Sequence, residues 1–398
     1  IVMIDIAALS LIFRFLFPGV FEFGELYTIA GWKVYMGEVL LMTAGTFVFG
    51  LLNYRSVGMA GKLQLILAFM LTFGIIAFFF GANSLDSAGI SNLVPLFAEN
   101  KSQAACVISI FALSPFLFVG FDTVPQASEE FAFDPGRCRN IMVISIFVGM
   151  MLYAMVMLGV AIAIPYPELL AKMEEMRNAG GHAWATGYVA TLAFGKFGSI
   201  ILACAVFGAV CTGINGFFVA ASRLLLAMAR GRILPEWFGR IHPTYHTPYN
   251  AILFTAILAL FTPFAGRSAV GWTVDMSSVG TGIGYLFTCL VARRAILSSS
   301  NAAGKNLGLF CCIMGTICSI LTLVLLLTPG SPAYISFAPR CVLALWVILG
   351  FVFYYSNKKV WSDLSTEELS HNILGGADIP VLFKKNSLQN QPEKELQA

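Results

Sequence analysis

The sequence predicts an all-α membrane protein, on three observations. Charged residues make up only 11% of its 398 positions, where a soluble domain carries about a quarter. Hydrophobic residues make up 58% and the mean hydropathy is +0.82. The apolar positions fall in repeated runs of about 18 residues or more, the length a helix needs to cross the hydrocarbon core.

Ten spanning segments follow, at 1–17, 35–53, 62–81, 104–130, 140–164, 197–228, 249–265, 269–292, 306–328 and 338–356. Phe17-Pro18-Gly19 stops the first, and the chain opens at Ile1 already inside it, as an incomplete N-terminus would. Turn-rich links follow the second and fourth segments at 53–61 and 133–140, the latter with Asp134-Pro135-Gly136 as its turn signal. Segment 249–265 is short for a span and is ended by Pro263 and Gly266. The run Pro167 to Arg177 has a helical pattern inside a long link, 165–196; it reads as a solvated spacer in preference to the alternative, a short surface helix over the pore. The polar stretch 357–398 reads as a disordered cytoplasmic tail behind one transmembrane domain, 1–356.

Alternation of the segments puts 53–61, 133–140, 229–248, 293–305 and the tail on one side. Those links carry Arg55, Arg137, Arg230, Arg232, Arg240, Arg293, Arg294, Lys305 and Lys358. Excess Lys and Arg mark the cytoplasmic side, which places 18–34, 81–103, 165–196 and 329–337 outside. The predicted localisation is a multi-pass integral membrane protein, in the plasma membrane by default, with the C-terminus in the cytoplasm.

Several function classes lack their residues. The nine cysteines form no Cys-x-x-Cys pair or Cys/His cluster with metal spacing. His242 and His246 are interrupted by Pro243. No phosphate-binding loop, Ser/His/Asp constellation or basic block for nucleic acid is present, so no catalytic residue, metal site or cofactor is expected.

Segment 104–130 is the irregular one. Gly120, Asp122, Thr123 and Pro125 crowd into six positions at membrane depth. Glycine weakens a helix, and proline removes a donor and clashes one turn back. The helix is therefore expected to unwind near Gly120 and restart before Glu129. Open backbone at that depth survives only inside protein or beside a water-filled cavity, and secondary carriers build midplane sites this way.

Four stretches carry a family likeness. Gly120-Phe-Asp-Thr-Val-Pro-Gln-Ala-Ser-Glu-Glu130 resembles the sixth helix of amino acid permeases of the amino acid–polyamine–organocation superfamily. Asp134 to Ile141 resembles their link to helix seven. Ala221 to Pro235, with Thr247 to Ile252, is similar to the end of helix eight and the entry to helix nine. Asn53 to Gln64 is similar to the link between helices four and five. The resemblance implies an inverted-repeat (LeuT-like) transporter fold in which these ten segments are helices three to twelve of an expected twelve. It implies secondary active transport of amino acids by alternating access. A polyamine or other organic-cation carrier, or a non-transporting sensor or inactive fragment, are the alternatives. Helix one, whose Gly-rich break holds the substrate carboxylate in the family, has no counterpart here.

The expected site follows from substrate chemistry. An amino acid needs acceptors for its ammonium, and unwound carbonyls supply them. Val119, Gly120 and Phe121 are the candidates, with Thr123 at the restart. Asp122 can bind the ammonium, cycle a proton or hydrogen-bond the frayed helix ends. Phe116 and Phe118 gate the pocket or pack in the core. Glu129 and Glu130, at the inner end, are a possible gate. Thr212 and Asn215 lie in a small polar patch of 197–228, and Asp275 in 269–292 lines the pathway or the outer interface. Sodium-coupled members ligate the ion with helix-eight hydroxyls, which points to Thr212. Some proton-coupled members place a lysine midway along helix five, whereas here Lys62 stands at the inner end only. Coupling to H+ or Na+ stays open. The partners expected are the small-molecule substrate and the bilayer, with no nucleic acid and no assigned partner subunit.

Overall fold

A computed structural model describes residues 1–55, 57–97, 102–127, 134–178, 183–298, 304–362, 364–365 and 368. The described chain is almost entirely helical. In order it forms α1 (Val2–Leu16), a hairpin of β1 (Glu25–Ile29) and β2 (Trp32–Tyr35), α2 (Met36–Arg55) and α3 (Val57–Asn83). Next come α4 (Gln103–Leu117), α5 (Thr123–Gln126), α6 (Cys138–Ala163), α7 (Tyr166–Asn178), α8 (Ala185–Phe194) and α9 (Lys196–Arg230). The last are α10 (Tyr249–Ala259), α11 (Thr262–Ala265), α12 (Ser268–Ser298), α13 (Lys305–Leu327) and α14 (Phe337–Ser362).

Seven of these, α2, α3, α6, α9, α12, α13 and α14, are long and apolar enough to cross a membrane. The other three predicted segments hold the shorter α1, the α4–α5 pair and the α10–α11 pair. Large side chains such as Phe47, Phe69, Phe73, Phe147 and Phe351 stand exposed on the flanks. A belt of that size would be a liability in water and is matched to hydrocarbon.

The central post is α9. It packs along α3, α1, α8 and α10, and its small residues set the spacing. A methyl at Gly208 would stand 2.8 Å from the Leu67 carbonyl oxygen, and Gly74 of α3 abuts Ala205. Backbones approach closely where such residues meet, which is how helices pack without a hydrophobic drive. Ile6, Met42, Leu67, Ile214, Phe218 and Ile252 fill the core around this post.

Three expectations change. The link 53–61 is largely helical, because Asn53 continues α2 and turns its amide back to the Phe49 carbonyl (2.9 Å). The spacer 165–196 holds α7 and α8. Leu169 is buried and Met173 packs beside it against Ala163, Val189 and Leu202, so the amphipathic run has a floor to fold on. The loop 18–34 contains the hairpin. Ala30 and Gly31 both take positive φ, 49° and 81°, as a two-residue turn between twisted strands requires.

Links assigned to one side do converge at one end. Thr247 Oγ1 donates to the Tyr54 carbonyl (2.8 Å), Tyr54 packs on His242 and Tyr245, and Asn357 donates to the Ile233 carbonyl (3.4 Å). At the other end Tyr27 of the hairpin donates to the Phe264 carbonyl (2.5 Å), and Asn92 reaches the Ile162 carbonyl (2.7 Å).

Candidate substrate-binding site

The irregular helix is broken where its sequence is irregular. α4 stops at Leu117 and α5 starts at Thr123. Gly120 between them adopts φ +128°, a conformation that side chains resist. The turn is tied by its own polar groups. The Gly120 amide donates to Asp122 Oδ1 (2.8 Å). The Gly120 carbonyl accepts from the Thr123 amide (3.1 Å) and hydroxyl (2.6 Å). Tyr153 of α6 donates its hydroxyl to the Leu117 carbonyl (2.8 Å) and holds the stump of α4. Among the described residues the carbonyls of Phe118 and Val119 accept no hydrogen bond.

This turn faces a cavity of about 390 Å³. Phe116, Val119, Gly120 and Thr123 line it together with Asp5 of α1, Gln64 of α3, Tyr153 of α6, and Thr212 and Gly213 of α9. The fold thus brings Thr212 to the break from nearly a hundred residues away. Its hydroxyl donates to the Ala209 carbonyl (2.7 Å).

The other candidates lie elsewhere. Phe118 turns its ring onto Tyr153 (5.8 Å between centroids) and Phe121 packs on Tyr285 of α12 (5.8 Å). Asp122 lies off the cavity wall, with one oxygen on Gly120. Asn215 is buried beneath the cavity, bonded to Asn53 (3.0 Å), the Ala60 carbonyl (3.1 Å) and Gln64 Oε1 (2.9 Å). Gln64 in turn donates to the Thr212 carbonyl (3.2 Å). Asp275 lines a separate cavity at the hairpin end and is hydrogen-bonded by Ser336. Glu129 and Glu130 lie outside the described residues.

Two site residues escaped the sequence reading. Asp5 Oδ2 is buried without a hydrogen-bond partner, and its carboxylate occupies the space that a side chain at Gly213 would fill. A lone acid in α1 is a signal only once its neighbour on α9 is known. Tyr285 has a buried hydroxyl that is likewise unpaired, on the helix that supports Phe121.

A bundle of long apolar helices with a cavity against an interrupted helix defines the class of protein: a multi-pass membrane protein. Residues 2–353 match the family described as amino acid permease, and the chain belongs to that family. It is 25% identical over 311 residues, 73% of its own length and 49% of the relative's, to cationic amino acid transporter 6, chloroplastic, of Arabidopsis thaliana. It is 25% identical over 244 residues, 58% of its length and 36% of the relative's, to cationic amino acid transporter 7, chloroplastic, of the same plant. A 73-residue stretch is 42% identical to a transporter of Rhizobium meliloti, covering 18% of this chain and 15% of that one. The chain thus spans half or less of the length of the curated relatives it matches.

Proposed function

We propose that the protein carries amino acids across a membrane by alternating access and binds them at the unwound turn 118–122. The observation that carries this reading is the unsatisfied carbonyl of Val119, a residue lining a cavity that also holds an unpaired carboxylate. Free carbonyls at membrane depth are costly unless something donates to them, and a substrate ammonium does. Asp5 adds a formal negative charge within the same space. That charge favours substrates with a second cationic group, in keeping with the names of the Arabidopsis relatives. The remaining features of the reading are the inverted repeat, ten spans here of a twelve-helix whole, and coupling to a proton or sodium gradient with Thr212 as the ion's hydroxyl.

Uptake into proteoliposomes by the full-length protein tests this. Labelled lysine, arginine and leucine are offered with and without each gradient. Saturable uptake that Gly120→Leu abolishes is the expected result. Asp5→Asn is expected to lower lysine uptake at least tenfold while sparing leucine. Equal loss of both substrates would remove the cation-selecting role of Asp5, and no uptake of any amino acid would overturn the carrier assignment.

A further inference from the structure

A second cavity, of about 450 Å³, lies at the hairpin end and shares no lining residue with the central one. Its wall combines opposite charges and two indoles: Arg267, Asp275, Trp32 and Trp272. Gly271 and Asp275 stand one turn apart on one face of α12, and Arg267 immediately precedes the first residue of that helix. At about 1.5 Å of rise per residue, Asp275 lies roughly 10 Å along the helix from its first residue, Ser268, next to Arg267. Gly271 leaves the space between them open.

The two charges do not neutralise each other. Asp275 is held by the amide and hydroxyl of Ser336. The Arg267 guanidinium lies 3.9 Å from the centre of the Trp32 ring, and among the described residues no carboxylate pairs with it. Arg14 and Arg177 add positive potential around it. A guanidinium stacked on an indole keeps its edge N–H groups for a planar anion. A carboxylate at one end, a cation at the other and apolar faces between complement an amino acid whose side chain ends in a cation, such as lysine, and the volume lies in the range of small-molecule sites.

The cavity is also placed on a route. Leu11 and Arg267 line both it and a smaller neighbour of about 250 Å³, which Ala8 also lines. Asp5, one turn further along α1, lines the central cavity. Residues 5, 8 and 11 share a helix face, so three cavities step along one side of α1.

We propose that Arg267, Trp32, Trp272 and Asp275 form a second, peripheral amino acid site that loads or unloads the central one. Arg267 takes the carboxylate, Asp275 the side-chain ammonium of a cationic amino acid, and the indoles flank the chain between them. The site extends the carrier reading above and depends on it.

Equilibrium binding of labelled L-lysine to the purified full-length protein reads the number of sites directly. Two molecules per protein are expected in the wild type. One should remain in Gly120→Leu, one in Arg267→Gln or Asp275→Asn, and none when Gly120→Leu is combined with either. Lysine should still quench tryptophan fluorescence in Gly120→Leu but no longer in Asp275→Asn. A single molecule bound by the wild type, lost in Gly120→Leu and kept in both peripheral variants, would overturn the second site and leave the carrier reading standing. No binding by the wild type would overturn both.

Discussion

At the scale of single residues, the break at Gly120 was legible and its partners were not. Glycine, an acid and proline within six positions of an apolar run announce an interruption from composition alone. The meaning of Asp122 depends on where its oxygen points, and it points at the Gly120 amide (2.8 Å). Its function there is to hold the turn, which predicts a split between two substitutions. Asp122→Asn keeps an acceptor oxygen and should retain most uptake. Asp122→Ala removes it, and a hydrogen bond of about 1 kcal/mol translates into uptake roughly five- to tenfold lower at unchanged protein level. Equal loss in both would instead give the charge itself the role. Tyr285 makes the opposite case. Its hydroxyl is buried and unpaired, so Tyr285→Phe removes an unsatisfied group while preserving the ring against Phe121. The melting temperature in detergent should stay level or rise. A clear fall would mean that the hydroxyl is bonded in the native protein.

At the scale of elements, hydropathy placed a helix at every apolar run, because run length reports burial in lipid directly. It could not show which helices touch. The contact of α3 with α9 rests on Gly74, Ala205 and Gly208, small residues scattered among many others. The amides of Asn53, Gln64 and Asn215 meet only when α2, α3 and α9 are assembled. Asn215 was visible as polar, but its partners lie more than 150 positions away. Asn215→Leu leaves two buried amides short of a partner. Such interhelical bonds contribute about 1 kcal/mol each within membranes, so a stability loss of about 1–2 kcal/mol is expected, read as a lower melting midpoint. Gly208→Val should be worse, since its side chain meets the Leu67 backbone and not a flexible tip. The hairpin and α8 were hidden for a related reason. Both are short, and both are specified by what they pack on more than by their own pattern.

At the scale of the whole molecule, the two ends differ in kind. One joins the links that carry Arg55, Arg230 and Arg240 through the Tyr54, His242 and Tyr245 cluster and the bond from Thr247 to Tyr54. The other carries the hairpin, where Lys33 is held by Glu25 (2.8 Å) and Arg14 by Glu22 and Glu38 (3.2 and 2.5 Å). Arg14 and Lys33 there are answered by acids, and the links assigned to the first end carry the denser run of arginines. Side-chain charge of that kind orients a membrane protein by keeping its basic links in the cytoplasm. The first end should therefore face the cytoplasm, together with the chain beyond α14. An epitope after Ala398 should be reached by antibody only after permeabilisation. A glycosylation sequon built at the hairpin turn, around Gly31, should be modified in intact cells. The turn suits the purpose because Gly31 meets no neighbouring atom, so an inserted segment displaces nothing. The reverse pair of results would invert the molecule in its membrane. It would also turn the Arg267 cavity from an entrance on the outer side into an exit on the inner one.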